Sequence, residues 1–484
     1  MLILAGVLLP PVLASSVATL VRPYRRVVGF VSSSCAAVSF GSAVVLCLDV
    51  LSRGLVEPGP GAAGLWRVDA LSALLALSIS FVALLASVAT GHHDDDDPSQ
   101  ARQLRIYMNA FAFTMLLAVV VQNVALMWVA IEATTIASAL AIPINRTRES
   151  VEASWKYLLV CSVGIALAFT GTILAYFDFV MTAGDVSAAL NWPVLRAAAP
   201  SLHPDLLQLA FAFILVGYGT KAGLAPMHTW LPDAHSEAPS PISAMMSGVL
   251  LAVAMYAIAR WKAVVDGSVD PAFTSGLLIG FGLLSVAIGT FSLVMQRHYK
   301  RLLAYSSVEH IGLVTIGLAL GPLGAFAAWL HVVNHAVAKS ASFLLAGRIL
   351  RRYKTTETGG VTGLLRVLPW TGALFAASVL ALVGLPPFGL FVSEFLLIQA
   401  AIADGRLWLA ALVLLLLLIA FVALMSHLNG MLYGRAPVEI EAGERGSWPV
   451  VALMVPVAIL LLVGMAFPAF LSTLLTQSVG GVLP

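Results

Sequence analysis

The chain has 484 residues, 60% of them hydrophobic and 10% charged, and a formal net charge of +2. Soluble domains carry about 25% charged residues, so this composition excludes a soluble globular protein and indicates a protein embedded in a lipid bilayer. The three cysteines, Cys35, Cys47 and Cys161, have neither a metal-binding nor a disulfide spacing. For the chain as a whole we expect no metal, no cofactor and no nucleic-acid partner.

Hydropathy predicts an all-α polytopic membrane protein with about fourteen transmembrane helices. A span needs about 20 apolar residues, and Pro, Gly or charged clusters separate one span from the next. The predicted spans are 2–21, 27–51, 69–90, 105–121, 123–143, 155–178, 206–236, 240–263, 273–295, 302–320, 323–348, 367–403, 407–433 and 449–472. The first predicted span, 2–21, lacks a basic N-terminal region, so we expect it to be a retained span and not a signal peptide.

The distribution of basic residues predicts the orientation. With the N-terminus outside, Lys and Arg are about three times as frequent in the predicted inside loops as in the outside loops, as the positive-inside rule requires. We therefore expect both termini outside and, in a bacterium, a location in the cell inner membrane.

A carboxylate and a lysine lie within predicted spans of the first half. Glu132 is midway along the fifth span, and Lys221 is in the seventh. A charge at membrane depth is costly and usually marks an ion or proton path. Each group would hold the other ionised, and a change in their separation would shift the pKa of both, so they could pass a proton. The alternative is a structural ion pair that fixes two helices.

Both the seventh and the twelfth predicted spans are too long for one straight helix. The run at Gly223 and Pro226 in the seventh matches the run at Gly384, Pro386 and Pro387 in the twelfth, 161 residues later. Because an odd number of spans separates them, the two breaks would have opposite orientations in the membrane. Inverted repeats with broken helices are typical of secondary transporters, although two Gly-Pro kinks can also match by chance.

The repeat divides the chain into four predicted parts. Residues 1–104 would be N-terminal peripheral helices, 105–265 the first inverted repeat, 266–435 the second, and 436–484 an inside loop and final helix.

The eleventh span carries His331, His335 and Lys339 at intervals of four residues, which places them on one helix face. Such a column could bind a metal, but no Cys, Asp or Glu accompanies it on this span and the lysine would repel a cation. A proton wire fits better, because each imidazole can donate from one nitrogen and accept on the other. His310 on the tenth span and Glu394 just beyond the second break are further candidates.

These groups form one candidate proton path. Ordered along the chain, it comprises Glu132, Lys221, His310, His331, His335, Lys339 and Glu394. The acidic run with His92 and His93 in a short loop is instead predicted to be a solvated turn. The chain contains neither a phosphate-binding loop nor a dinucleotide fingerprint, so we expect no redox or ATP chemistry within it.

The run from Lys221 to His235, with Gly223, Pro226 and Asp233, resembles the signature of the antiporter-like membrane subunits of respiratory complex I, Mrp-type cation/proton antiporters and energy-converting hydrogenases. The resemblance extends from about the third span to the thirteenth. Within this family, the chain is most similar to the membrane subunits of hydrogenase-4 and formate hydrogenlyase complexes.

The resemblance implies roles for four residues. Glu132 and Lys221 match the coupled pair, Lys339 matches a relay position, and Glu394 matches the last position, which delivers the proton. One departure is Ala252, because many family members carry a lysine or histidine at this position in the eighth span.

The main hypothesis is a non-catalytic, proton-translocating subunit of a redox-driven complex. Its partners would be other membrane subunits and a peripheral redox module on separate chains. The alternatives are a subunit of an Mrp-like sodium/proton antiporter, a membrane scaffold with a decayed path, and a lone solute carrier.

Overall fold

The computed structural model describes residues 1–22, 26–57, 64–90, 97–184, 188–436, 440, 443–444 and 447–481. The loop residues His92 and His93 lie outside the described residues. Within them the regular structure is helical, and β-type pairing is limited to four isolated bridges. The predicted all-α class is therefore confirmed.

The α-helices are numbered in chain order. They are α1 (Leu2–Leu20), α2 (Arg26–Arg53), α3 (Ala70–Ala89), α4 (Pro98–Val120), α5 (Val124–Ala141), α6 (Arg148–Ala183), α7 (Trp192–Ala198), α8 (Pro204–Ala222), α9 (Trp230–Glu237), α10 (Ser240–Met245), α11 (Leu251–Val265), α12 (Pro271–Met295), α13 (Tyr299–Gly317), α14 (Gly321–Tyr353), α15 (Leu364–Val367), α16 (Pro369–Leu382), α17 (Gly389–Ala403), α18 (Leu407–Leu432), α19 (Ser447–Ala466) and α20 (Ala469–Gly480).

Eleven helical segments of the described chain are long and apolar enough to cross a membrane. The helices α13 and α14 are also long, but they carry many of the buried ionisable side chains. Two shorter apolar helices, α16 and α17, lie on either side of the second Gly/Pro break. The chain is thus a multi-pass membrane protein.

Polar caps fix the start of the helices that carry the candidate residues. The Asn123 side chain accepts hydrogen bonds from the backbone N–H groups of Ala125 and Leu126, both at 3.0 Å, and so begins α5. Thr147 does the same for α6 by accepting from the N–H of Ser150 at 3.1 Å. Such caps satisfy N–H groups that have no partner within the helix.

The first helix break follows α8. Gly223 has φ +78°, a left-handed conformation that favours glycine. The N–H of Leu224 donates to the carbonyl oxygen of Gly219 at 2.8 Å, and the N–H of Gly223 donates to that of Thr220 at 3.2 Å. This pair of bonds is a Schellman motif, so α8 ends directly after Lys221 and the chain restarts as α9.

The second break repeats this arrangement after α16. Gly384 has φ +66°. Leu385 donates to the carbonyl oxygen of Leu380 at 3.3 Å, and Gly384 donates to that of Ala381 at 3.1 Å. Each of these four residues lies 161 positions after its counterpart in the first break, which is the predicted offset.

Four basic residues that were counted with the predicted loops, three of them near the ends of predicted spans, are buried inside helices. They are Arg105, Arg260, Lys262 and Lys300. Arg260 pairs with Asp69 at 2.6 Å, and the Lys300 ammonium donates to the carbonyl oxygens of Ser236 and Ala238 at 2.6 and 2.9 Å. The loop assignment is wrong for these residues, because acceptors that compensate the burial of each charge lie within reach of the long side chains.

The predicted final span, 449–472, is two helices instead of one. The helix α19 ends at Ala466 and α20 begins at Ala469. Pro468 lies between them, and a proline pushes the residue before it out of the helical conformation.

Close contact between α6 and α8 depends on glycines. A Cβ atom added to Gly217 would lie 2.5 Å from the carbonyl oxygen of Gly164, and one added to Gly171 would lie 2.5 Å from that of Ala210. Small residues that let helix backbones approach are a main source of packing energy in membranes.

We expect Gly217→Ala to destabilise the chain by about 1–3 kcal/mol, because the added methyl group must push α6 and α8 apart. Gly280→Ala is the matched control, since a Cβ on Gly280 meets nothing within 4 Å. Thermal unfolding of both variants in the same detergent measures the difference. Equal midpoints would contradict the packing argument.

Candidate functional site

The Lys221 ammonium lies in a cage of hydroxyl groups. The side chain is fully buried, and its Nζ donates hydrogen bonds to Thr135 Oγ1 at 2.8 Å and to the Tyr157 hydroxyl at 2.6 Å. The Tyr157 hydroxyl also lies 2.7 Å from Ser138 Oγ. Hydrogen bonds of this kind are what allow a charged group to remain in an apolar interior.

Glu132 is joined to Lys221 through one intervening hydroxyl. Thr135 Oγ1 donates to Glu132 Oε2 at 3.2 Å, and Ser162 Oγ donates to Glu132 Oε1 at 2.8 Å. Glu132 is half-buried, whereas Thr135 is fully buried. The structure therefore brings the predicted pair together, but with Thr135 between the two charges.

The second cluster lies between α13, α14 and α17. His310 Nδ1 is 3.0 Å from His331 Nε2, and His331 Nδ1 is 2.9 Å from Ser393 Oγ. The ring of His335 lies 5.2 Å from that of His310, centroid to centroid. All three histidines are at most 2% exposed, so the predicted face on α14 does meet the predicted histidine on α13.

Hydrogen-bond accounting assigns the tautomers. The single hydroxyl proton of Ser393 goes to the carbonyl oxygen of Leu390 at 2.8 Å, so Ser393 accepts from Nδ1–H of His331. His331 Nε2 must then accept from Nδ1–H of His310. This leaves the lone pair of His310 Nε2, which has no hydrogen-bond partner within the described chain.

Lys339 and Glu394 occupy the two ends of this cluster. The Lys339 ammonium donates to the carbonyl oxygen of Leu303 at 2.7 Å and to the hydroxyl of Ser306. Glu394 lies in the first turns of α17, is 8% exposed, and its Oε1 has no hydrogen-bond partner among the described residues. Both groups are thus held beside the histidines without a direct ion pair between them.

Ala252 lies in α11 and is buried, so it leaves an apolar position where the resemblance expects an ionisable residue. The preceding π-helical turn, Met246–Leu250, carries Ser247, whose Oγ lies 2.7 Å from Ser307 Oγ of α13. Single π turns often occur at functional sites.

His235 is a further buried titratable group, and it lies between α9 and α14. It is fully buried on α9, its ring stacks on Phe343 of α14 at 4.9 Å, and neither ring nitrogen has a hydrogen-bond partner within the described ranges. Lys339 and Lys300 are the cations that act on it electrostatically. An imidazole with both nitrogens free can accept a proton and pass it on.

Sequence reasoning missed several of these groups. They are Thr135, Tyr157, Ser162, His235 and Glu309, the last a buried carboxylate on α13 beside His310. Thr135 could have been found from its i+3 spacing to Glu132, which places both on one helix face. Tyr157 carries no such signal, because only the packing of α6 against α8 brings it to Lys221.

Three residues could hold a metal ion. His310, His331 and Glu394 each place one ligand atom within 4.8 Å of the others. The carboxylate that the eleventh span lacks is therefore supplied from α17.

Comparison with known proteins agrees with this fold. Residues 121–420 match the family described as NADH:quinone oxidoreductase/Mrp antiporter, TM. The chain belongs to this family of antiporter-like membrane subunits, and the resemblance seen in the sequence is confirmed.

Two of the similar relatives are hydrogenase components. The hydrogenase-4 component F homolog of Methylacidiphilum infernorum (isolate V4) is 39% identical over 400 residues, which are 80% of this chain and 82% of that protein. Hydrogenase-4 component B of Escherichia coli (strain K12) is 29% identical over 432 residues, 83% of this chain and 62% of that protein. A chain of the archaeal membrane-bound sulfane sulfur reductase has the same fold, with a TM-score of 0.88, 24% identity and complete coverage of both chains.

We expect Lys221→Met to leave the stability within about 1 kcal/mol or to raise it, because no direct ion pair is broken and the hydroxyl groups around the ammonium keep other partners, Tyr157 with Ser138 and Thr135 with Glu132. If Lys221 instead formed a buried ion pair that holds two helices together, its removal would lower the stability of the chain by about 3–5 kcal/mol. Arg260→Met is the matched control for such an ion pair, since it leaves Asp69 without its 2.6 Å partner. Thermal unfolding in detergent compares the two, and a larger loss for Lys221→Met would favour the structural ion pair.

Proposed function

We propose that this chain carries protons across a bacterial inner membrane as a subunit of a redox-driven complex of the hydrogenase-4 or complex I type. The observation that carries the proposal is the placement of two clusters of buried ionisable groups, one at each Gly/Pro helix break. Intramembrane ionisable residues are rare and expensive, and they mark proton relays. The hydrogenase relatives support a redox drive, which partner subunits and a peripheral module would supply.

The proposed topology has fourteen crossings with both termini outside. To the eleven long apolar segments it adds α13, α14 and the broken pair α16–α17. The matching Schellman motifs, 161 residues apart, support two inverted repeats at 105–265 and 266–435. Residues 1–104 then form peripheral helices, and 436–484 form a loop and the final helices.

The proposed path begins at the Lys221 cage. When Glu132 is close, its charge favours protonated Lys221, and when it withdraws, the lysine loses a proton toward the second half. A shift of two or three pKa units requires about 3–4 kcal/mol of coupling, which a small change in the α5 to α8 distance can supply in a medium of low dielectric constant.

The two halves are linked through the α9 and α10 region. We propose that His235, together with the Ser247 and Ser307 hydroxyls, replaces the residue that is missing at Ala252. The proton would then reach Lys339 and continue through His335, His331 and His310. Glu394 would release it at the second break.

We expect Lys221→Met to abolish proton translocation by the intact complex while electron transfer continues or slows. Lys262→Met is the control, because Lys262 is equally buried but is paired with Asp266 away from the path. Affinity purification through a tag on this chain, reconstitution and a pH-sensitive dye inside the vesicles measure the flux. Unchanged pumping would favour the scaffold alternative, and a requirement for sodium at a fixed proton gradient would favour the antiporter alternative.

We expect His235→Asn to slow proton translocation at least about tenfold, because a general acid or base commonly contributes 10²–10⁴-fold. His228→Asn is the matched control on the same connecting segment, since His228 is only half-buried. The same vesicle assay measures both rates. If the control variant were the more impaired of the two, the link between the halves would run elsewhere.

A further inference from the structure

Three side chains that commonly bind metals converge from three helices in the buried interior. His310 comes from α13, His331 from α14 and Glu394 from α17, and they are 1%, 0% and 8% exposed. One ligand atom of each lies within 4.8 Å of the other two. Two imidazoles and one carboxylate are the ligand set of a zinc site that keeps its fourth position open.

The spacing of the nitrogens suits a metal ion. His310 Nδ1 and His331 Nε2 are 3.0 Å apart, whereas two nitrogens bound tetrahedrally at about 2.0–2.1 Å from zinc are about 3.3 Å apart. The separation of the two nitrogens is therefore already close to that of two bound ligands, and the rings have to turn so that both lone pairs point at the ion. The carboxylate must move closer, and its Oε1 makes no hydrogen bond to the described residues that would hold it back.

The protons balance when a metal ion replaces the hydrogen bond between the two rings. The proton on His310 Nδ1 moves to Nε2 of the same ring, whose lone pair has no partner in the described structure. Both imidazoles stay neutral, as metal ligation requires. Among the three ligands only Glu394 has to release a proton, when it carries one, because a carboxylate ligand must be ionised.

The repulsion from Lys339 is offset locally. Its ammonium is held by Leu303 and Ser306, at least one helical turn before His310 on α13. Glu394 places a carboxylate oxygen within 4.8 Å of both histidine ligand atoms. The ammonium is thus held by acceptors of its own, whereas the carboxylate is a direct ligand of the ion.

The second helix break lies directly against the site. Glu394 lies against Gly384, where an added Cβ would be 2.8 Å from the carboxyl carbon. The side chains of Pro386 and Pro387 in the same break are exposed on the surface of the chain. The carboxylate ligand is thus the member of the site that borders this break.

We propose that His310, His331 and Glu394 form a binding site for a divalent first-row transition-metal ion, represented here by Zn²⁺. An ion in this site holds three groups of the path at once and stops proton transfer. The binding step stands on the geometry alone, while the inhibition rests on the proposed function.

The test uses the full chain in lipid nanodiscs titrated with ZnCl₂. His92→Gln and His93→Gln are introduced throughout, so that the acidic loop cannot supply imidazole ligands. Calorimetry gives the stoichiometry, and X-ray absorption at the zinc edge gives the ligands. We expect one Zn²⁺ per chain, bound by nitrogen and oxygen with no sulfur.

Single ligand substitutions then assign the site. His310→Gln, His331→Gln and Glu394→Gln should each weaken Zn²⁺ binding at least about tenfold, since even the loss of a supporting residue around a metal costs 10–100-fold. His427→Gln, a half-buried histidine on α18, should leave it unchanged. Using three ligand variants keeps the test valid if one of them fails to fold.

Absence of binding, sulfur ligands, or affinity that none of the three substitutions changes would overturn the site. A separate arm adds Zn²⁺ to proteoliposomes of the unsubstituted pumping complex, where half-inhibition of proton flux should occur at the Zn²⁺ concentration that half-saturates the site in calorimetry. Binding without inhibition would leave the metal site intact and overturn its effect on the path. A failure of the proton-pumping proposal would not alter the calorimetry.

Discussion

The structure depends on hydroxyl groups that make a buried ammonium tolerable. A lysine has three N–H donors and no acceptor, and two donors of Lys221 are accounted for by Thr135 and Tyr157. These acceptors come from different helices, so α5 and α6 each present a hydroxyl group to the same nitrogen atom on α8. The glycines that let α6 approach α8 are part of the same constraint, because a wider separation would withdraw the Tyr157 hydroxyl.

The helix breaks place the ionisable groups at the ends of short helices. At the first break, α8 ends at Ala222, the residue directly after Lys221, and the Schellman motif follows at Gly223. At the second, the same motif closes α16, and Glu394 follows in the early part of α17. Helix ends in a membrane leave backbone groups that must be satisfied within the protein, so each break creates a polar region that charged side chains can share.

The sequence was sufficient for the class, the helix breaks and the principal ionisable residues. These are signalled by composition, by Gly/Pro spacing and by charge within apolar runs, all of which are local properties. It was insufficient for partners that meet only in three dimensions, such as Tyr157 beside Lys221 or Glu394 beside His310. It also misassigned Arg260 and Lys300 to loops, because hydropathy does not reveal that a long side chain will find an acceptor inside the bundle.

Thr135 has a single hydroxyl proton and two charged neighbours. While Lys221 is an ammonium, it donates to Thr135, and the threonine must direct its own proton toward Glu132. Once Lys221 becomes a neutral amine, its lone pair can accept a hydrogen bond from the Thr135 hydroxyl group. That hydroxyl group can then rotate away from the Glu132 carboxylate. The orientation of the Thr135 O–H bond thus depends on the charge of Lys221. Glu132 gains or loses a hydrogen bond accordingly, without any displacement of a helix.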